Sequence, residues 1–532
     1  MSEEPRFPSE PQALDLSAKK LDTEESDDAK IEHISHEVVP SKGPRKVSQV
    51  LMMIWSGVAL ASDGYNSQSM GSANNMLELL YPESKSYTGY ENDMEDRVSS
   101  AYYVGLCLGA VFFGFLIDRF SRKTGVVLAT CLMIIGGALA TASWGNTPHH
   151  MFWMLTVTRG ILGFGAGGEY PTCSTGATEA GDESPFVRKH RGMLVSLVGC
   201  TAVDTGIVFG GIWPLITLVG YGYRSNTDPN ETKGLRGAWR ISLGLGLIIP
   251  LSVFFFRLRM MTSSAFQNHA LRQNLSLKVW WVVIKTYWPR IIGTCLTWFL
   301  YDFINYPFTL FSSNIAEQLP GGNDSLVHQI GYSTAMNVFM IPGCLVGALV
   351  LDKLGRRNTQ ALGFALQAVF GFVLGGGVVP IHNITGLYVV LYGLLLATGE
   401  GGPGICTLLL SAESYPTAVR GNLAGLSAAV AKAGAAIGTH VFAAIKKKYK
   451  HDKMQSLRVP VLIAASIAVV GCILTLLCFP ATHSEVLQDE DLRFRRILKE
   501  HGISEDIWAN SETLQRSALA EYETKLDSED RA

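Results

Sequence analysis

Four side chains able to bind a solute or a proton share one face of a predicted helix: Trp298, Asp302, Asn305 and Tyr306. They lie in the stretch TWFLYDFINYPF (297–308), where six of the twelve residues are aromatic. A carboxylate in such apolar surroundings is costly to keep charged, so it is a functional candidate. We therefore expect Asp302 to take up and release a proton beside a polar binding surface. The alternative is an ion pair that only fixes helix packing.

Few other ionisable residues lie in long apolar stretches; they are the acids Asp63, Glu169, Asp204 and Glu400 and the bases Arg159 and Lys432. Lys432 lies in AAVAKAGAAIG (428–438), whose small residues allow helices to approach closely. A single ammonium there suits an anionic substrate, because lysine binds phosphate oxygens as a point charge. Alternatively, Lys432 neutralises a buried acid at rest, and both roles hold if the substrate replaces an internal ion pair. For Asp204 and Glu400, structural and functional roles are about equally supported.

Membrane-spanning helices must position these residues. The chain has 532 residues, 48% hydrophobic and only 17% charged, and a helix spans a bilayer with about 20 apolar residues. Spans are predicted near 49–70, 98–117, 124–145, 151–178, 192–220, 238–257, 288–310, 330–351, 358–380, 385–410, 421–445 and 457–480. The sequence thus predicts an all-α membrane protein with twelve transmembrane helices in a lipid bilayer. Its segments are a tail (1–48), a six-helix half (49–258), a middle link (259–287), a second six-helix half (288–481) and a second tail (482–532).

Lysine and arginine residues set the orientation. The basic links 118–123, 188–191 and 352–357 fall on one side, which the positive-inside rule makes cytosolic together with both tails. The basic stretch KKKYK (446–450) falls on the outer side, against that rule. Three N-glycosylation sequons, at Asn230, Asn323 and Asn383, are then on outer loops. The net charge of −2 gives no support for nucleic-acid binding.

A duplicated element marks the cytosolic helix ends. The links DRFSRK and DKLGRR supply Asp118, Arg119, Arg122, Asp352 and Arg356, and their two aspartates are 234 residues apart. The same offset separates Glu179 from Glu413, and Arg420 precedes the eleventh span as Arg191 precedes the fifth. We expect these residues to form contacts that gate or fix the helix ends. The alternative is a plain set of positively charged loops.

Other patterns carry no catalytic chemistry. GFGAGG (163–168) fits a dinucleotide-binding fingerprint, but no strand precedes it, so its glycines are expected to pack helices. No metal-ligand spacing or nucleophile and base grouping can be defended in the sequence. We therefore expect neither a cofactor nor an enzyme activity.

The duplicated links and RGILGFGAG (159–167) resemble two signatures of the major facilitator superfamily. The stretches GGEYP (167–171), TWFLYDFINYP (297–307), SAESYPTAVRG (411–421) and AKAG (431–434) resemble the fungal glycerophosphodiester permeases, which are related to the phosphate–proton symporters. The resemblance implies site residues at Asp63, Glu169, Tyr170, Trp298, Asp302, Tyr306 and Lys432. Polar residues of the symporters are missing near Ala129, Ala202 and Gly404, which leaves room for a larger organic group than free phosphate.

The expected function is proton-coupled import of glycerophosphoinositol or glycerophosphocholine by alternating access of the two halves. Lys432 and Arg159 would attract the anion, and Tyr170, Trp298, Asn305 and Tyr306 would complete the binding surface. Asp302, Asp63 or Glu169 would carry the proton. The alternatives are an inorganic phosphate–proton symporter and a nutrient sensor that does not transport. The resemblance and the sequons favour the plasma membrane.

Overall fold

The computed structural model describes residues 46–82, 92–119, 122–182, 191–223, 232–258, 276–320, 325–449, 451–479 and 487–503. The chain divides into Met1–Ser48 and one compact unit, Gln49–Ala532. Every regular element of the described residues is a helix. In chain order they are α1 (Lys46–Leu80), α2 (Asn92–Arg119), α3 (Arg122–Thr141), α4 (Pro148–Asp182), α5 (Arg191–Gly220), α6 (Thr232–Leu245), α7 (Ile248–Leu258), α8 (Leu277–Leu310), α9 (Ser312–Glu317), α10 (Leu326–Val338), α11 (Met340–Leu354), α12 (Arg356–Gly376), α13 (Val378–His382), α14 (Thr385–Gly399), a π-helical turn (Glu400–Gly404), α15 (Ile405–Glu413), α16 (Thr417–Lys448), α17 (Lys453–Cys478) and α18 (Leu487–Glu500).

Each of the twelve predicted spans coincides with one helix or with consecutive helices. The sixth is α6 with α7, the eighth is α10 with α11, the ninth is α12 with the start of α13, and the tenth is α14, the π-helical turn and α15. Within the described residues, nine of the twelve are long and apolar enough to cross a membrane. The other three, α1, α4 and α8, have 35, 35 and 34 residues and carry Asp63, Arg159 and Asp302. Their polar faces turn toward other helices, and all three contribute to the site described below.

Several helices extend beyond the predicted spans. α1 continues to Leu80, and α8 begins at Leu277 rather than near 288. The start of α8 is set by Ser276, whose hydroxyl accepts a hydrogen bond from the Val279 backbone amide at 3.3 Å. Residues 277–287 of the predicted middle link are therefore helical, because a helix extends past its apolar run wherever a cap satisfies its end. Residues 259–275 lie outside the described part of the chain.

Glycines allow the backbones of α2 and α4 to come into direct contact. A Cβ atom on Gly163 would lie 2.1 Å from the carbonyl oxygen of Tyr102, and one on Gly109 would lie 2.1 Å from that of Phe164. Any larger residue at either position would have to push the helices apart. The glycines of GFGAGG therefore pack helices, as the sequence predicts, and they fix Tyr102 close to the centre of the bundle.

The two halves, α1–α7 and α8–α17, meet at the end of the bundle that carries Arg356, here called the Arg356 end. The Met193 backbone amide on α5 donates a hydrogen bond to Asp352 Oδ2 on α11 at 3.1 Å. A Cβ atom on Gly425 of α16 would lie 2.8 Å from the Cα atom of Gly114 on α2. These contacts close the Arg356 end of the bundle.

The halves also meet at the opposite end, here called the Lys446 end. The Lys446 ammonium on α16 lies 3.4 Å from Glu95 Oε2 on α2. Asn75 on α1 donates a hydrogen bond to Gln329 Oε1 on α10 at 3.1 Å. The two halves therefore contact each other at both ends of the bundle in this conformation.

A last helix, α18, packs across the Arg356 end. Asp491 accepts hydrogen bonds from the backbone amide and the hydroxyl of Thr417, both at 2.6 Å, and so caps the start of α16. Glu490 accepts hydrogen bonds from Tyr287 at 2.6 Å and from Arg290 at 3.0 Å, both on α8. α18 therefore ties together the ends of the two helices that carry Lys432 and Asp302.

Replacing Glu490 with glutamine will lower thermal stability at neutral pH. Burial alone raises the pKa of Glu490, but the hydrogen bond from Tyr287 and the attraction to Arg290 lower it below its ordinary value of 4.5. A lowered folded-state pKa stabilises the fold above the ordinary pKa, and this contribution is lost as the pH falls through the folded-state value. Melting curves of purified protein should show a loss of about 1–3 kcal/mol at pH 7.

The difference between wild type and the Glu490→Gln variant should shrink as the pH falls below 4.5. Glu500→Gln, which changes an exposed acid on the same helix, is the matched control and should melt like wild type. Equal melting temperatures for wild type and Glu490→Gln at pH 7 would contradict the assigned contact.

Candidate functional site

A buried lysine lies at the centre of the bundle between two carboxylates. Lys432 on α16 places its ammonium 3.0 Å from Asp302 Oδ2 on α8 and 4.0 Å from Asp63 Oδ2 on α1. Each of the three residues is only 1% exposed. The sequence places these charges at interior depths, and the structure brings them into contact across the two halves.

Tyrosines surround this charge cluster. Asp63 accepts hydrogen bonds from Tyr102 at 2.8 Å, from Tyr306 at 2.7 Å and from Tyr170. The Lys432 ammonium donates to the Tyr306 hydroxyl and lies 4.2 Å and 4.0 Å from the ring centroids of Tyr170 and Tyr306. The phenol donors satisfy the Asp63 carboxylate, while the ring faces attract the ammonium.

The cluster opens onto a narrow cavity between helices of the two halves. Six predicted site residues line it: Tyr170, Trp298, Asp302, Asn305, Tyr306 and Lys432. Ser67 on α1, Tyr301 on α8 and Glu400 in the π-helical turn also line it. The lining therefore comes from both halves and combines one base, two acids, phenol groups and an amide.

The π-helical turn forms part of the cavity wall through Glu400 and Gly404. Asn305 donates a hydrogen bond to Glu400 Oε1 at 3.4 Å. A Cβ atom on Gly404 would lie 1.9 Å from Glu400 Oε2 and 2.9 Å from the Tyr301 hydroxyl, so only glycine leaves space for these oxygens. π-Helical turns are frequent at functional sites, and this one aims a carboxylate into the cavity.

Arg159 and Glu169 are buried but do not line the cavity. Arg159 donates to the backbone carbonyl groups of Val98 at 3.1 Å and Asn66 at 3.4 Å, and its guanidinium lies 4.8 Å from the Tyr102 ring centroid. It thereby helps to position Tyr102 against the central carboxylate. In this conformation Arg159 affects the site by positioning Tyr102, which donates a hydrogen bond to Asp63.

Glu169 forms a bidentate ion pair with Arg257 of α7. Both oxygen contacts are 2.5 Å long, and the side chains are 2% and 3% exposed, respectively. Thr130 on α3 also accepts a hydrogen bond from Arg257. The pair therefore joins α3, α4 and α7 inside the first half. The sequence contains no direct signal for it, because Arg257 stands at the end of an apolar run where a solvated arginine is common.

Ion pairs join the helix ends of the second half. Arg356 lies 3.1 Å from Glu413 Oε2 and 3.2 Å from Asp352 Oδ1. Arg420 is fully buried and donates to the Tyr415 backbone carbonyl at 3.2 Å. These contacts connect α11, α12 and α15 at the Arg356 end.

Several predicted residues lie beyond what the structure describes. The side chains of Asp118, Arg119, Arg122 and Glu179 are outside the described set, as are Asn230 and Asn323. Asn383 is exposed in the link between α13 and α14, where a sequon would be accessible. Among the described residues, no group of three or more His, Cys, Asp or Glu side chains could hold a metal ion.

The fold and the buried charged site define a membrane transporter of the major facilitator superfamily. A solved structure of XylE, the xylose transporter of E. coli, matches with a TM-score of 0.66 over 84% of this chain and 98% of that chain, at 16% identity. That likeness shows the fold. The chain belongs to the Sugar (and other) transporter family, which it matches over residues 52–274 and 259–492.

Two curated relatives are similar over most of their length. The glycerophosphoinositol permease 1 of Candida albicans is 36% identical over 92% of this chain and 91% of the relative. A glycerophosphocholine permease of the same organism is 34% identical over 84% of this chain and 82% of the relative. The expected all-α fold with two six-helix halves is confirmed, and so is the expectation of a multi-pass transporter rather than an enzyme.

Breaking the Glu169–Arg257 pair will destabilise the fold. Arg257→Gln leaves the Glu169 carboxylate buried without its cation, which costs about 3–5 kcal/mol of stability. Melting curves in detergent check this, with Arg236→Gln, an exposed arginine in the same span, as the matched control. A double variant, Glu169→Gln with Arg257→Gln, should regain stability because it leaves no unpaired charge. Equal losses in the single and double variants would contradict the assignment.

Proposed function

We propose that this protein imports a glycerophosphodiester together with protons, by alternating access of its two halves. The observation that carries the proposal is the buried Lys432 ammonium, which faces a cavity between the halves and is held there by Asp302 and Asp63. A phosphodiester brings the single negative charge that this ammonium can bind. The names of the two curated relatives support the same substrate class.

Asp302 switches the charge of the site. When Asp302 is ionised, it occupies Lys432 at 3.0 Å. When it is protonated, the ammonium is released for an anion, and one buried negative charge beside that anion is removed. Proton and substrate therefore favour each other's binding, which is the thermodynamic requirement for coupling. Asp63 and Glu169 remain candidate proton carriers, but Asp63 is held by three tyrosines and Glu169 by Arg257.

Alternating access requires the contacts at the two ends to open in turn. At the Arg356 end, the halves are joined through Asp352 and the close approach of α2 to α16. At the Lys446 end, they are joined by the Lys446–Glu95 pair and the Asn75–Gln329 hydrogen bond. We assign the Arg356 end to the cytosol because its links are basic, which also places both termini there. The plasma membrane is the proposed location.

The rival substrate is inorganic phosphate. The cavity favours the singly charged diester because Glu400 also lines it, and a second acid would repel the extra charge of a free phosphate dianion. A sensor that binds without transporting is the other rival. A sensor would bind the diester without accumulating it in the cell, so uptake measurements distinguish a sensor from a transporter.

Cells that lack their own phosphate and phosphodiester permeases will accumulate a labelled diester when they express this protein. The comparison is among glycerophosphocholine, glycerophosphoinositol and inorganic phosphate at acidic and neutral pH. Intact diester should accumulate, and more at acidic pH, because the proton is a co-substrate. Accumulation of inorganic phosphate alone, or of none of the three by protein present at the surface, would overturn the proposal.

Asp302→Asn will abolish the stimulation of uptake by acidic pH. The amide cannot titrate and cannot neutralise Lys432, so diester binding persists while accumulation against a gradient is lost. Uptake and counterflow measured from pH 5 to pH 8 check this, with Asp302→Glu as the titratable control. Full pH-dependent accumulation by Asp302→Asn would show that another acid carries the proton.

A further inference from the structure

We propose that Asp204 and Glu400 share one proton across the interface between the two halves, and that the halves close over the cavity only when this proton is bound. Asp204 lies on α5 in the first half, and Glu400 lies in the π-helical turn of the second half. The inference rests on the proposed function and adds a second proton site to the same cavity. This site acts on closure, whereas Asp302 acts on the charge available to Lys432.

Helix packing places the two acids opposite each other. The Cys200 thiol on α5 donates a hydrogen bond to the Gly404 backbone carbonyl at 3.6 Å. Asp204 follows Cys200 by four residues, and Glu400 precedes Gly404 by four residues. Each acid therefore lies about one turn from that contact and on the same face of its helix. The carboxyl groups of Asp204 and Glu400 form a hydrogen bond with each other.

The surroundings of the two acids indicate which one holds the proton. A hydrogen bond between two carboxyl groups requires a proton on one of them. Glu400 also accepts hydrogen bonds from Asn305 at 3.4 Å and from the Tyr301 hydroxyl, so donors surround its carboxylate form. Asp204 is fully buried, and neither of its oxygens accepts a hydrogen bond from the residues that the structure describes. Asp204 is therefore the neutral acid that donates to Glu400.

The charges around the pair do not replace this proton. Glu400 faces the Lys432 ammonium, but that group lies 3.0 Å from Asp302 and 4.0 Å from Asp63. If Asp204 and Glu400 were both ionised, closing the cavity would bring two carboxylates together, which like-charge repulsion opposes. The titratable groups that face the pair are Cys200 on α5, Tyr301 and Asp302 on α8, Cys344 on α11 and Lys432 on α16.

The shared proton links the pair to alternating access. When either end of the bundle opens, water enters the cavity, and a hydrated carboxyl group is ionised at neutral pH. Closure removes that water, so Asp204 must take up a proton before it is buried beside Glu400. The loaded carrier takes this proton inward and the empty carrier takes one outward, so the two movements cancel. Asp302 therefore remains the acid that couples the proton gradient to accumulation.

The Asp302→Asn variant isolates this second site, because its counterflow does not depend on titration of Asp302. Counterflow of glycerophosphoinositol and of glycerophosphocholine is measured in proteoliposomes, with equal pH on both sides, from pH 5 to pH 8. The rate should fall as the pH rises, by at most about tenfold per pH unit, as one proton requires. Adding Asp204→Asn or Glu400→Gln should make the rate independent of pH, because each amide can donate an N–H group to the remaining carboxylate.

The matched control is Glu500→Gln in the same background, which changes an exposed acid outside the cavity and should leave the fall with pH unchanged. A spectroscopic measurement tests the proton without transport. At pH 7 the infrared difference between wild type and Asp204→Asn should contain the carbonyl band of a protonated carboxylic acid. Glu400→Gln should also lose this band, because the amide then donates to an ionised Asp204.

The possible results separate this site from the proposed function. Counterflow by Asp302→Asn that is independent of pH, or a fall that persists after either amide substitution, would overturn the shared proton. A difference spectrum without the acid band would overturn it as well. So would loss of counterflow at every pH in both amide variants with normal melting curves, because the acids would then act in another step. Failure of wild type to take up either diester would overturn the proposed function instead, and the infrared band would still test the pair.

Discussion

The Lys432 ammonium is buried between Asp302 and Asp63, and the arrangement of the surrounding helices depends on this contact. An isolated charge in a low-dielectric interior is very costly, so the lysine must have partners and the partners must have further hydrogen bonds. The carboxylates come from α8 and α1, and the lysine comes from α16. Three helices from two halves must therefore converge at one depth, and three tyrosines complete the bonding of Asp63.

The same contact explains why the site can work as a switch. Two carboxylates and one ammonium leave an excess negative charge, which a proton can remove without any change in packing. An anion can then take the place of the protonated acid beside Lys432. The pairs at the two ends of the bundle are separate from this cluster, so the centre can change its charge while either end remains closed.

Close packing of the helix backbones fixes the positions of the polar and charged side chains. The contact of α2 with α4 is fixed by glycines that allow no larger residue, and Tyr102 projects from that contact toward Asp63. The π-helical turn positions a second acid in the cavity wall, where Gly404 leaves space for the Glu400 carboxylate. α18 adds a tie between the ends of α8 and α16 through Glu490 and Asp491. Each of these three features holds a polar side chain in a position that apolar packing alone would not fix.

The sequence by itself determined the twelve spans, the two-fold duplication and the interior depth of Asp302 and Lys432, because hydropathy and helical rise are local properties. It also gave the shared face of Trp298, Asp302, Asn305 and Tyr306. Only the tertiary structure decided which charges meet: it paired Glu169 with Arg257 and turned Arg159 toward backbone carbonyl groups. It also brought Glu400 into the cavity through a π-helical turn. Helix rotation and tilt set these contacts, and they result from the packing of all the helices together rather than from any one segment.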